Sequence, residues 1–169
     1  MKRNLMIGLV LAVVGILIIA GATFALLGDN NKYTPKVGDF LKYEISYIPS
    51  QPLRNITFEV LGVNSTSVYY KMTSNDQISF QNVSRNVTHA AQNVNPYSAN
   101  YSETYLGKAN IDTKWGMKST DHYYMSDSLM HMETWARNGF TMKLVVVNVF
   151  DNTTITQILV DTNISQVTD

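Results

Sequence analysis

The chain of 169 residues contains no cysteine, which excludes a disulfide framework, a thiolate zinc site and a thiol nucleophile. Charge is scarce: Asp, Glu, Lys and Arg make up 15% of the residues, against about 25% in an ordinary soluble domain. Thirteen basic residues balance thirteen acidic ones, so the cationic excess that nucleic-acid binding requires is missing. The nine glycines are scattered, three of them in an N-terminal apolar run, and form no phosphate-cradling loop. There is no G-x-S-x-G for a serine nucleophile and no H-E-x-x-H for zinc. Beyond the N-terminal run no apolar period of 3.6 lasts three turns, which excludes a helix bundle. Asn, Ser, Thr, Gln and Tyr stand where the charge would be. The length leaves room for one domain and a short appendage.

That appendage is N-terminal. Leu5 to Leu27 carries no charge, and at 1.5 Å per helical residue it spans about 34 Å, enough for a hydrocarbon core of about 30 Å. Lys2 and Arg3 precede it and Asp29 follows. The positive-inside bias then makes residues 1–4 a cytoplasmic stub and places everything from residue 28 onward outside. Ala20-Gly21-Ala22 and Thr23-Phe24-Ala25 also read as signal-cleavage sites, but the run is longer than the usual h-region of about 7–15 residues and favours an uncleaved anchor. Either way the remainder is exported: a linker over 28–36 and a β domain over 37–169. Setting Lys2 and Arg3 aside leaves 11 basic against 13 acidic residues outside, a net charge of −2.

Period-two alternation is the dominant pattern of the exported part. Leu41, Tyr43, Ile45 and Tyr47 share one face, with Lys42, Glu44 and Ser46 on the other. Ile56, Phe58 and Val60 repeat this, then Val68, Tyr70 and Met72 after the turn Gly62 to Ser67. Further strands are predicted at about 103–111, 117–125, 129–136, 140–149 and 154–161. Short polar turns between them favour antiparallel pairing, since parallel strands need crossovers. The expected fold is mainly β: an N-terminal transmembrane helix, then a twisted antiparallel sheet as a meander or half-barrel. Residues 74–104 are polar and contain the turn signal Asn95-Pro96; Ile78-Ser79-Phe80 offers a strand start, and the whole reads as a long loop.

One register is predicted in detail. A two-residue Asn138-Gly139 loop would pair Arg137 with Phe140 and put His131 and Glu133 on the face of Leu144 and Val146. A three-residue loop pairs Ala136 with Phe140, gathers Met130, Met132, Thr134, Ala136, Phe140, Met142, Leu144 and Val146 on one face, and sets Glu133 opposite Lys143. A one-residue slip reverses every side chain, so the second register is expected.

Candidate sites are few. Asn-x-Ser/Thr without proline occurs at Asn55, Asn64, Asn82, Asn86, Asn100, Asn152 and Asn163, mostly in predicted turns or the polar loop. In an exported chain these are glycosylation acceptors. Met130-His131-Met132, with Met117, Met125 and Met142, has the soft donors that copper(I) takes. Strand alternation turns His131 away from its neighbours, so core packing is expected and no metal. His122, beside Asp121 and before Asp127, is read as a lone exposed strand histidine, and His89 has no evident partner. Aromatic and thioether side chains at Tyr43, Tyr70, Met130, Met132, Phe140 and Met142 form either a core or an apolar ligand face. No cofactor and no catalytic residue is expected.

Several stretches resemble known proteins: Val37-Gly38-Asp39-Phe40, Tyr105-Leu106-Gly107, the turn Thr113-Lys114-Trp115-Gly116, the strand Met117–Met125, Trp135 before Asn138-Gly139, and Leu159-Val160-Asp161-Thr162-Asn163-Ile164. Together they are similar to uncharacterised archaeal membrane-anchored surface proteins with an extracytoplasmic β-meander. More distantly the strand order resembles the LolA-like lipoprotein-carrier fold, a curved sheet cradling acyl chains. The family offers no catalytic residues, and the expected role is a non-catalytic, membrane-anchored binding or structural module of the envelope with envelope proteins as partners, or a carrier or sensor of a lipid-like ligand held in the concave face of the sheet.

Overall fold

The computed structural model describes residues 34–48, 51–75, 77–84, 102–126, 130–138 and 140–169. The anchor segment 5–27 and the sequons at Asn86 and Asn100 lie outside the described residues, as does His89. Among the described residues no helix is long and apolar enough to cross a membrane.

Among the described residues nine strands form: β1 (Phe40–Ile48), β2 (Gln51–Val63), β3 (Ser67–Ser74), β4 (Gln77–Ser84), β5 (Ser102–Thr113), β6 (Gly116–Ser126), β7 (Met130–Arg137), β8 (Phe140–Asn148) and β9 (Thr154–Thr162), followed by the short helix α1 (Ser165–Thr168). They make one sheet in the order β4-β3-β2-β1-β9-β8-β7-β6-β5. Every pair is antiparallel. The polar stretch 74–104, expected as one long loop, instead gives up its first part to β4 and its last part to β5. Polar composition hid β4 because its outward residues include Asn82 and its inward ones Ser79 and Gln81.

The order is that of a closed meander cut between β4 and β5, and the cut follows from parity. With nine alternating strands the first and last of the row run the same way, so a β4–β5 closure would have to be a parallel pair. Parallel neighbours break the antiparallel ladder and need a crossover. The sheet stays open.

It nevertheless coils on itself. Lys114, at the tip of the β5–β6 hairpin, reaches Asp161 on β9 at 2.6 Å, although β6 and β9 are three places apart in the sheet. At about 4.8 Å per strand a flat sheet would hold them roughly 14 Å apart. On the inward face lie Leu41, Tyr43, Ile45, Tyr47, Ile56, Phe58, Val60, Val68, Tyr70, Met130, Met132, Phe140, Met142, Leu144, Val146, Ile155 and Leu159, all buried. Ile164 and Val167, at and beside α1, close the core from the C-terminal side.

Strand β6 changes faces along its length. Its two buried residues, Thr120 and Met125, are an odd number of positions apart, which a flat strand would place on opposite faces. β6 pairs with β7 only over Asp121–Ser126; beyond that the β5–β6 ribbon stands free of the sheet. Two-stranded ribbons twist more strongly than wide sheets. The extra twist brings Thr120, Ile111 and Trp115 round against the core. A bulge at Leu106, with Gly107 at φ +107°, sits just before the free stretch and adds to the bend.

The β7–β8 register differs from both alternatives read from the sequence. The loop is the two-residue Asn138-Gly139, with Arg137 opposite Phe140 and Ala136 opposite Thr141. A bulge then leaves Met142 unpaired, and from Trp135↔Lys143 onward the pairing continues as Thr134↔Leu144 and Met132↔Val146. The single inserted residue restores the apolar phase that the two-residue loop had offset. Thr141 and Met142 are both buried as a result.

Candidate functional site

The six residues proposed as an apolar ligand face are all placed within the packed core. Tyr43, Tyr70 and Phe140 are fully buried, Met142 nearly so, and Met130 and Met132 by about nine-tenths. Phe58 meets Tyr43 and Tyr70 edge-on, with ring centroids 6.1 and 6.4 Å away. The Tyr43 hydroxyl donates to the Thr141 carbonyl at 3.1 Å, and burial pushes that phenol's pKa far above its ordinary value. The indentation bordered by Asp39, Phe40, Leu41, Phe58, Val60, Tyr70 and Ile164 has no room for a water molecule.

One inward residue breaks the apolar pattern. Gln157 lies on β9 between Ile155 and Leu159, opposite Ile45 and Leu144, and is 2% exposed. Neither atom of its amide has a hydrogen-bond partner among the described residues, a state that costs about 1–3 kcal/mol. Alternation along Ile155, Gln157 and Leu159 already places it inward in the sequence, so this residue was findable.

The outer face of β6–β8 carries an ordered polar and aromatic row. His122, Trp135 and Lys143 are cross-strand neighbours. The His122 ring stacks on Trp135 with centroids 4.4 Å apart and planes 11° apart, and the Lys143 ammonium sits 4.7 Å from the Trp135 centroid. His122 Nε2 is 2.8 Å from Glu133 Oε2. One row along, the Tyr124 hydroxyl is 3.1 Å from His131 Nδ1. The expectation of a lone exposed His122 is therefore corrected: its side chain is 18% exposed and is held by a stack and a carboxylate. Glu133 answers His122 rather than Lys143, because the Met142 bulge moves Lys143 opposite Trp135. Asp121, the neighbour named from sequence, takes the Tyr105 hydroxyl and the Lys108 ammonium instead, and that contact raises the Lys108 pKa. His131 is exposed while Met130 and Met132 are buried, so the Met-His-Met donors do not converge. Among the described residues no group of three His, Cys, Asp or Glu could hold a metal.

The described sequons fall into distinct settings. Asn64 lies in the exposed β2–β3 turn, where its Oδ1 accepts the Thr66 and Ser67 amide hydrogens at 2.9 and 2.7 Å. Asn152 is exposed in the β8–β9 turn with a left-handed φ of +54°. Asn55 and Asn82 are exposed on strands β2 and β4. Asn163 is different, since both ends of its amide are used by the fold. Its Oδ1 accepts the Phe40 amide at 2.9 Å and its Nδ2 donates to the Gly38 carbonyl at 3.0 Å. The Thr162 hydroxyl adds a bond to the Phe40 carbonyl at 2.6 Å. Two of the motifs behind the sequence resemblance, Val37–Phe40 and Leu159–Ile164, thus clasp each other where β1 meets β9.

No protein-family model and no curated protein matches the chain. Among solved structures it is similar to a "putative lipoprotein" of Parabacteroides distasonis, at 8% identity and a TM-score of 0.53, covering 79% of this chain and 99% of that one. A "putative exported protein with YmcC-like fold" of Bacteroides fragilis aligns at 8% identity and a TM-score of 0.46 over 80% of this chain and all of that one. At such identity the likeness is one of fold: a mainly β chain built on a single open antiparallel sheet. Both neighbours are bacterial.

Proposed function

We propose that this chain is a membrane-anchored, extracytoplasmic, non-catalytic module of the cell envelope, glycosylated and working through its outer surface by binding other envelope components. Residues 5–27 hold it in the membrane with the N-terminus cytoplasmic, in the manner of the archaeal surface proteins it resembles. One observation carries the choice of surface over interior: the inward face of the sheet is filled by the chain's own side chains, from Tyr43 to Phe140. The envelope setting is supported by the 23 uncharged residues behind Lys2-Arg3 and by the lipoprotein description of a protein with the same fold. Protease treatment of intact cells tests it. Loss of the 37–169 domain while a cytoplasmic marker survives is the expected result, and full protection of the domain would overturn it.

A second reading, a carrier or sensor of a lipid-like ligand in the manner of LolA-like proteins, is favoured by Gln157, whose buried amide lacks a partner among the described residues. Native mass spectrometry of gently purified protein separates the two. A discrete solvent-extractable mass supports the carrier, and a bare or merely sugar-bearing chain supports the surface module.

A further inference from the structure

The outer face at the β4 edge joins exposed apolar side chains to a sequon. Ile78 and Phe80 on β4 are 58% and 57% exposed, and Tyr69 on β3 is 42% exposed. Tyr69 and Phe80 stack, with centroids 6.1 Å apart and planes 14° apart. Asn82 is the register partner of Tyr69 and follows Phe80 by two positions, so all three point outward together. The Asn82 side chain is exposed and makes no hydrogen bond to a described residue. Beside the patch the Lys71–Glu59 ion pair, at 3.1 Å, marks where the face becomes polar.

Left bare, this arrangement is a liability. Among the described residues β4 is an edge strand, and an edge with exposed apolar side chains is a template for pairing with another chain. Native edges are blunted by charge, proline, bulges or a cover. The described part of β4, from Gln77 to Asn82, contains no charged residue and no proline, and its pairing with β3 has no bulge. What it does contain is Asn82-Val83-Ser84.

We propose that Asn82 carries an N-linked oligosaccharide whose first sugars lie over the stacked Tyr69 and Phe80 rings and cover the β4 edge. The donor is a lipid-phosphate-linked oligosaccharide. Asn82 Nδ2 forms a bond to the anomeric carbon, the bond from that carbon to the phosphate oxygen breaks, and the lipid phosphate leaves with its electron pair. One Nδ2 proton passes to a base of the transferase, and the other stays on the new amide link. A sugar ring presents C–H groups on its faces, which suit the negative face of an aromatic ring. The glycan also adds bulk where a neighbouring strand would approach. Asn163 is the counter-case within the same chain, since its Nδ2 is committed to the Gly38 carbonyl; it stays unmodified.

This inference rests on the exported, glycosylated reading above, and the test separates the two. Site-resolved mass spectrometry is run on the full chain isolated from its source membranes, as wild type, as S84A (which keeps Asn82) and as N152G (which keeps the left-handed backbone). Sugar on Asn82, with S84A alone raising apolar-dye fluorescence several-fold and promoting self-association, is the expected result. A bare Asn82 beside modified Asn64 or Asn152 overturns the inference and leaves the glycosylated module standing. A chain bare at every sequon overturns both. Sugar on Asn82 whose loss in S84A changes neither dye binding nor association overturns the covering role, and F80S in the S84A background checks that any gain arises at this patch.

Discussion

The β1–β3 end of the sheet and the β5–β6 end are built on different terms. In β1 every second residue from Leu41 to Tyr47 is buried, and Ile56, Phe58, Val60, Val68 and Tyr70 continue the pattern. In the described part of β5 no residue is buried, and in β6 only Thr120 and Met125 are. The first end is held by apolar area and interlocking rings. The second is tied down by polar contacts: Lys114 to Asp161, Lys118 to the Thr168 and Asp169 carbonyls, Arg137 to the Ser119 carbonyl, and Tyr105 and Lys108 to Asp121. Apolar burial is insensitive to salt and intolerant of lost volume, whereas exposed ion pairs are screened and individually weak. One chain therefore contains an end held by apolar packing and an end held by polar ties.

The sharpest way to break this contrast is at Phe58, which touches the rings of both Tyr43 and Tyr70. F58A is expected to cost about 3–5 kcal/mol in chemical denaturation, whereas K114A should leave the midpoint almost unchanged. A comparable loss from both would erase the distinction. Next in size is Gln157, the polar exception within the apolar part. Q157L is expected to stabilise by about 1–3 kcal/mol, by removing an unpaired buried amide. A fall in the denaturation midpoint would show that the amide has a partner in solution.

The His122–Glu133 contact, half-shielded by Trp135, lies between the two regimes. A double-mutant cycle with H122A and E133A should give a coupling of about 1 kcal/mol, discounted for the exposure of Glu133. A coupling indistinguishable from zero would make the row an ornament of the outer face. The smallest effect is expected at the hairpin tip. The Lys114 hydrogen bond lowers the Asp161 pKa. A carboxyl lowered in the folded state contributes stability that is present above its unfolded value of about 3.9 and is lost as pH falls through the folded value. Amide protection at residues 113–116, corrected for the intrinsic exchange rate, should thus fall only below about pH 4 and at high salt, and D161N should abolish the pH dependence without touching protection in β1–β3.

Legibility followed the same division. Where alternation was strong, as in β1, β2, β3 and β9, the sequence located each strand to within a few residues. β4 reads mostly as loop, because an edge strand with Asn82, Gln81 and Ser79 has little apolar signal to show. The β7–β8 hairpin illustrates a subtler limit. The two-residue loop has the wrong apolar phase, and phase alone cannot reveal that one bulged residue at Met142 repairs it. The partner of His122 was missed for the same reason, since Glu133 becomes its neighbour only through the β6–β7 register.

The sequence by itself determined a mainly β chain: period-two strands with turn residues at their ends, following an uncharged N-terminal run. These are local properties, written within a few residues of one another, and the energy that enforces them is the burial of one face. Only the tertiary structure decided which strands became edges, that β1 pairs with β9, and that an odd number of strands leaves the row open. Coiling also decided that the inward face closes on itself, bringing Lys114 to Asp161 and Asn163 to Gly38. Those outcomes depend on the summed twist and register of all nine strands, which no single stretch of sequence carries.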